Sequence, residues 1–200
     1  MANFNSDTEQ LQVTLTDRVA TITMNRPEAR NALSPDLTGA FRQALVWARD
    51  DDDVGAVLVT GAGQAFCSGG DVKAMGAKPS ADQPKPTAEQ QFQELRTRHH
   101  GIAGVLRQLR KPSIAALPGA AAGAGMAIAL CCDMRIAADN AFLSTGYARI
   151  GLSGDYGIAW LLSRIVTPAH ARELMLTCER VDAARACEIG LVNRVVPAAE

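Results

Sequence analysis

The chain has 200 residues, of which 48% are hydrophobic, 20% charged and 4% aromatic, which predicts one globular domain with a sizeable buried core. The formal net charge of -1 would not draw it to nucleic acid or to an anionic membrane, so neither is an expected partner. The first residues lack the basic start, apolar stretch and small-residue cleavage site of a signal peptide, so the expected compartment is the cytoplasm.

The N-terminal third predicts a strand hairpin, a helix and a further strand. Residues 11–15 and 18–24 alternate apolar and polar side chains around a short turn, as two paired strands do. Ser34 followed by Pro35 is typical of a helix start, and apolar residues then recur at helical spacing. Residues 55–60 are a short apolar run, as expected for a strand covered on both faces.

The rest of the chain continues this alternation. Residues 77–87 are rich in Pro and polar side chains and predict a surface loop. The remaining predicted elements are strands at 113–117, 134–138 and 191–196, and helices at 88–109, at 123–132, around 160–162, after Thr167 and after Asp182. Residues 112–132 carry no charge, but glycines and a proline interrupt them, which favours a buried strand, turn and helix over a membrane span.

The cysteines and histidines do not predict a metal site. The five cysteines lack C-x-x-C spacing and lie mostly in apolar segments, which indicates reduced, mostly buried thiols. None of the three histidines (99, 100 and 170) lies at a metal-ligand spacing from a carboxylate or a thiol. No bound metal is therefore expected.

Two glycine-rich segments each follow a predicted buried strand. In residues 61–71 a dinucleotide fingerprint would need glycine where Phe66 stands, and no Gly-Lys-Ser/Thr of a phosphate loop follows. Residues 118–133 lead from a strand into a helix, whose free N–H groups can hold a developing negative charge. Taken alone, each segment also fits a tight turn or close helix packing.

Several segments together resemble the crotonase superfamily of enoyl-CoA hydratases and isomerases. They are residues 25–33, 61–71, 119–133, Gly151-Leu152 with Gly157, and 187–197, in the family's order. The resemblance implies an α/β (α+β) fold: a spiral of ββα units with two near-perpendicular sheets surrounded by helices. Residues 1–200 would form one such core domain without the C-terminal helical segment through which relatives oligomerise. With that segment present, a homotrimer or hexamer would be expected.

The same resemblance implies an acyl-CoA thioester as substrate and no separate cofactor, because CoA arrives with the substrate. Two backbone N–H groups, those of Gly70 and Ala124, would polarise the thioester carbonyl. The implied substrate-binding residues are Arg26, Arg30, Ala65, Phe66, Gly70, Asp71, Val72 and Lys73. The main chain near Ala65 would meet adenine, and the basic residues would meet phosphates, although each of them singly also fits a solvated surface charge.

The chain departs from the hydratase pattern at both catalytic glutamates. Their positions hold Ala127 and Tyr147, and a tyrosine hydroxyl keeps its proton at neutral pH, so neither can be the base. Tyr147 could instead donate a hydrogen bond to the substrate or fill the space of the glutamate. Asp155 matches the position of a catalytic aspartate in isomerase-like and dehalogenase-like relatives. A lone carboxylate there could move a proton between C2 and C4 of an enoyl thioester.

These residues predict enoyl-CoA double-bond isomerisation with Asp155 as base. The alternatives are an enoyl-CoA hydratase with altered acid/base residues and, in a different class, a non-catalytic acyl-CoA-binding subunit. At most one of His99 and His100 would face the acyl pocket, because adjacent helix residues point in different directions. Asp133 is expected to be structural, at a helix-to-strand junction.

Overall fold

The computed structural model describes residues 4–71 and 86–199, and its strands form two sheets. The six-stranded sheet has the order β1 (Leu11–Thr16), β2 (Val19–Met24), β3 (Ala56–Gly61), β5 (Ser113–Leu117), β7 (Met134–Ala138) and β10 (Arg194–Val196). The four-stranded sheet has the order β4 (Ala65–Cys67), β6 (Ala120–Ala122), β8 (Phe142–Ser144) and β9 (Val181–Asp182).

Both sheets are mixed, with one antiparallel pair at an edge. In the first sheet β1 and β2 form the predicted hairpin, with Leu11 opposite Met24, and the other neighbouring strands run parallel. In the second sheet β4, β6 and β8 are parallel and β9 is antiparallel. The parallel strands are short apolar runs because helices cover them.

Helices surround the two sheets, as the predicted fold class requires. They are α1 (Pro35–Asp50), α2 (Ala88–His99), α3 (Val105–Gln108), α4 (Ala124–Cys131), α5 (Ile158–Ile165), α6 (Pro168–Thr177) and α7 (Ala183–Glu188), with 3-10 turns at Pro27–Ala29 and Ala148–Ile150. The predicted start of α1 is confirmed, since the Ser34 hydroxyl accepts a hydrogen bond from the Leu37 N–H at 3.1 Å. Helix α1 buries Leu37, Phe41 and Leu45 against the sheet.

Two predicted elements differ from the structure. The helix expected over 88–109 is interrupted, because a π-helical segment, His100–Gly104, joins α2 to α3. Its glycines are weak helix formers, and the wider turn accommodates an extra residue. The strand expected over 191–196 begins only at Arg194: Leu191 and Val192 are buried, but both of their N–H groups donate to the Ala186 carbonyl in a turn after α7.

The uncharged residues 112–132 form β5, β6 and α4, as the sequence predicted. Helix α4 is buried along its whole length. Across residues 4–71 and 86–199, no helix is both long and apolar enough to cross a membrane.

Glycines bring the end of β4 against the start of α4. A Cβ atom at Gly125 would collide with the Cys67 carbonyl oxygen, so only glycine allows this approach. Gly69 has a φ of +96°, and a Cβ there would lie 2.9 Å from the Ala122 carbonyl oxygen and 3.5 Å from the Ala124 nitrogen. The two glycine-rich segments therefore lie side by side.

Candidate active site

A cavity of about 660 Å³ lies where these two segments meet the first turns of α1 and the C-terminal part of α2. Three of the predicted catalytic residues, Gly70, Ala124 and Asp155, line it together. Tyr147 does not line the cavity, but its hydroxyl donates a hydrogen bond to Asp155, which does. The fold therefore collects, in one place, residues that are far apart in the sequence.

The N–H groups of Gly70 and Ala124 are available to a ligand. Ala124 is the first residue of α4, so its N–H has no intrahelical acceptor. Gly70 lies opposite Leu33 in an isolated parallel bridge, in which the Leu33 N–H donates to the Gly69 carbonyl at 2.9 Å. Among the described residues, neither the Gly70 nor the Ala124 N–H has an intramolecular acceptor. Two such donors can share one carbonyl oxygen and stabilise negative charge on it.

Asp155 lies in the turn before α5, between glycines with left-handed φ angles of +111° at Gly154 and +78° at Gly157. Its Oδ1 atom accepts a hydrogen bond from the Tyr147 hydroxyl. Burial raises the pKa of Tyr147, and the negative charge of Asp155 raises it further, so the hydroxyl remains a donor. Tyr147 therefore directs its hydrogen bond to Asp155, while its buried ring fills the space beside it.

His99 approaches the other carboxylate oxygen. Its Nε2 atom is 4.0 Å from Asp155 Oδ2, and its ring centroid is 4.5 Å from that of Tyr156. Burial lowers the pKa of His99, and the opposing effect of the Asp155 charge is smaller, so the imidazole is neutral at pH 7. His100 does not line this cavity, which agrees with the expectation that at most one of the two faces it.

The other carboxylates of the cavity wall are engaged by arginines. Asp71 Oδ2 lies 3.4 Å from Arg26 Nη1, and Glu94 Oε1 accepts a hydrogen bond from Arg98 Nη2 at 2.8 Å. Ala127, which the sequence resemblance matches to the first hydratase glutamate, is fully buried within α4 and does not line the cavity. Of the carboxylates that line the cavity in the described residues, Asp155 is thus the one without an arginine partner.

The predicted CoA-binding residues are only partly brought together. Gly70 and Asp71 line the cavity, whereas Arg26 does not line it but pairs with Asp71 and donates to the Ala32 carbonyl at 2.6 Å.

Three other members of the predicted set, Arg30, Ala65 and Phe66, do not line the cavity. Ala65 and Phe66 are buried in β4, and the Ala65 carbonyl accepts a hydrogen bond from Asn31 Nδ2 at 2.7 Å. Val72 and Lys73 lie outside the described residues, as does most of the predicted loop at 77–87.

Asp133 has the structural role that the sequence predicted. Its Oδ2 atom accepts hydrogen bonds from the N–H and the hydroxyl of Ser113, both at 2.8 Å, which ties the end of α4 to the start of β5.

The cysteines are free thiols; burial raises the pKa of both Cys67 and Cys131 to about 12, so these thiols stay protonated. Within the described ranges, no three His, Cys, Asp or Glu side chains are grouped so that they could hold a metal ion.

Comparison with known proteins relates this chain to one family. A family model described as enoyl-CoA hydratase/isomerase matches residues 14–200. A probable enoyl-CoA hydratase of Mycobacterium bovis is 37% identical over 190 residues, which cover 95% of this chain and 70% of that protein. A 4-chlorobenzoyl coenzyme A dehalogenase of Arthrobacter is 34% identical over 196 residues, which cover 98% of this chain and 69% of that protein. The crystal structure of an enoyl-CoA hydratase from Polaromonas superposes with a TM-score of 0.83 at 37% identity, covering 94% of this chain and 71% of that one.

Proposed function

The chain belongs to the enoyl-CoA hydratase/isomerase family, and from this premise we propose that it shifts the double bond of an enoyl-CoA thioester, with Asp155 as the single base. The observation that carries the proposal is the position of Asp155 in one cavity with the free N–H groups of Gly70 and Ala124. The positions of both hydratase glutamates hold Ala127 and Tyr147, so a second carboxylate that could activate water is missing there.

In the proposed reaction the thioester oxygen accepts hydrogen bonds from the Gly70 and Ala124 N–H groups. Removal of a proton from the carbon chain places negative charge on that oxygen, and each preorganised donor is worth about 3 to 4 kcal/mol in the transition state. Asp155 takes the proton from one of C2 and C4 and returns it to the other, so the double bond moves and no water is consumed. CoA is part of the substrate, and the proposal needs no other cofactor.

The side chains around Asp155 suit a carboxylate that works as a base. Tyr147 donates to Oδ1, Oδ2 accepts no hydrogen bond among the described residues, and a neutral His99 does not cancel the carboxylate charge. A protonated imidazole in the same place would pair with Asp155 and weaken it as a base. The arrangement therefore favours catalysis at neutral or higher pH.

The decisive experiment follows isotopes from water into product. Incubation of the protein with a 3-enoyl-CoA in heavy-oxygen water should give the 2-enoyl isomer without heavy oxygen, because the proton that Asp155 moves comes from the substrate and no water is added. Heavy oxygen at C3 would show hydration instead and overturn the proposal. Tight binding without turnover across a panel of enoyl thioesters would favour a non-catalytic acyl-CoA-binding subunit.

A second candidate is a hydrolytic dehalogenation, favoured by the contact between His99 and Asp155 and by the similarity to 4-chlorobenzoyl coenzyme A dehalogenase. The Asp155 carboxylate would form an ester bond to the ring carbon as chloride leaves, and water activated by the neutral imidazole would then hydrolyse this ester, which releases the hydroxylated ring and regenerates the carboxylate. Release of chloride from 4-chlorobenzoyl-CoA, with transfer of one oxygen from water to the ring, would support this candidate.

A further inference from the structure

Arg42 is a cationic side chain of α1 that lines the cavity. Pro35, Thr38, Gly39 and Arg42 follow helical spacing, so they form one face of α1, and all four line the cavity. Leu33, just before the helix, pairs with Gly70. From Pro35 to Arg42 the helix rises by about 10 Å, so this face leads from the free N–H groups to the guanidinium.

The fold holds the Arg42 side chain against the π-helical segment. A Cβ atom at Gly101 would lie 2.7 Å from Arg42 Cδ and 2.8 Å from Arg42 Nε, so a larger residue there would displace the arginine. The Arg42 side chain is half-buried, and in the part of the chain that the structure describes it has neither a hydrogen bond nor an ion pair. The other arginine lining the cavity, Arg98, is in contrast paired with Glu94.

Arg42 lies near residues that neighbour Asp155, the proposed base. Gly101, which it contacts, is two residues beyond His99, and His99 contacts both Asp155 and Tyr156. The charge of Arg42 also acts on Tyr156, where it lowers the phenol pKa against the larger, raising effect of burial. The residues expected to meet CoA, Arg26 and Asp71, form their own ion pair.

We propose that Arg42 is a specificity-determining residue that binds a carboxylate at the distal end of the acyl group, so that the substrates are CoA monothioesters of dicarboxylic acids. The proposal rests on the proposed function for the position of the thioester at Gly70 and Ala124. A guanidinium binds a carboxylate through two parallel hydrogen bonds, and a half-buried one without a partner loses little on doing so.

The test measures binding, so it does not depend on turnover. Calorimetry would compare wild type, Arg42→Gln and Arg42→Lys with three ligands: a saturated dicarboxylic monothioester of CoA, a neutral acyl-CoA of equal length, and CoA alone. Arg42→Gln should weaken binding of the dicarboxylic ester about ten- to a hundredfold, the contribution of a charge-assisted hydrogen bond, and leave the other two unchanged. Arg42→Lys should recover part of the loss. Arg49→Gln, at an exposed position near the end of α1, serves as the control and should leave the affinity for all three ligands unchanged.

Two results would overturn the proposal. If Arg42→Gln weakens the binding of all three ligands equally, Arg42 binds a phosphate of CoA. If a folded Arg42→Gln protein binds all three ligands as tightly as wild type does, Arg42 is only a solvated cation. Failure of the proposed function can be told apart from failure of this inference. If Arg42→Gln weakens only the binding of the dicarboxylic ester but the protein shifts no double bond, the isomerase proposal is contradicted and the role of Arg42 is not.

Discussion

The hydroxyl of Tyr147 donates a hydrogen bond to Oδ1 of Asp155, eight residues further along the chain. The family resemblance of the sequence matches this tyrosine to a glutamate of the hydratases, and in the structure its hydroxyl donates to the carboxylate of Asp155. Because the ring is only 5% exposed, the hydroxyl has little access to water and its donor is committed to Asp155. Tyr147 is therefore a positioning residue for the proposed base.

Replacing Tyr147 with Phe should lower kcat about tenfold while leaving KM nearly unchanged. The phenyl ring keeps the packing, but one charge-assisted hydrogen bond that fixes the carboxylate is lost. Steady-state kinetics with an enoyl-CoA would measure both constants. The loss should vanish when Tyr147→Phe is added to Asp155→Asn, since the two residues act as a unit. Full additivity of the two losses would show that Tyr147 acts elsewhere.

Replacing Asp155 with Asn should lower kcat about 10²- to 10⁴-fold, the usual contribution of a positioned base. The amide has the shape of the carboxylate and cannot take a proton, so the affinity for a saturated acyl-CoA should change little. Single-turnover kinetics and calorimetry would measure the two quantities separately. An unchanged rate would remove Asp155 from the mechanism.

Gly69→Ala and Gly39→Ala should change stability in opposite directions. At Gly69 the left-handed φ and the Ala122 carbonyl at 2.9 Å oppose a Cβ, so the free energy of unfolding should fall by about 1 to 3 kcal/mol. Gly39 lies inside α1 with no atom within 4 Å of the added carbon, so alanine should stabilise the helix by about 1 kcal/mol. Denaturant unfolding of both variants would check this, and a stabilised Gly69→Ala protein would contradict the described approach of the two segments.

Arg135→Lys should destabilise the fold by about 1 to 3 kcal/mol. Arg135 is 6% exposed, and its guanidinium donates to the carbonyls of Leu191 and Cys132, both at 2.8 Å, and so joins the turn before β10 to the core. A lysine ammonium lacks the planar fork that reaches both acceptors. Denaturant unfolding would measure the loss, with the exposed neighbour Arg194→Lys as the control. Equal stabilities of the two variants would contradict this role.

Local patterns predicted the hairpin, α1 and the buried strands, because each of these elements is long enough to show its period in the sequence. The strands of the second sheet were missed as separate elements since β4, β6 and β8 have three residues each and β9 has two. The positions of Gly70, Ala124 and Asp155 followed from the family's motifs. The hydrogen bond between Tyr147 and Asp155 depends on left-handed turn residues that spacing does not reveal, and the contact between Arg42 and Gly101 joins residues that are far apart in the sequence.

Acidification should destabilise the wild-type protein more than a His99→Gln variant. Burial lowers the pKa of folded His99 below its ordinary value of 6.5, so below that pH the unfolded chain binds more protons than the folded one. The stability that neutral His99 contributes is therefore present above about pH 6.5 and is lost as the pH falls toward the folded pKa. Thermal unfolding between about pH 7 and about pH 5 would compare the slopes of Tm for wild type, His99→Gln and the control His100→Gln. The His99→Gln slope should be the shallower, and a His99→Gln slope equal to that of wild type would contradict the burial of this imidazole beside Asp155.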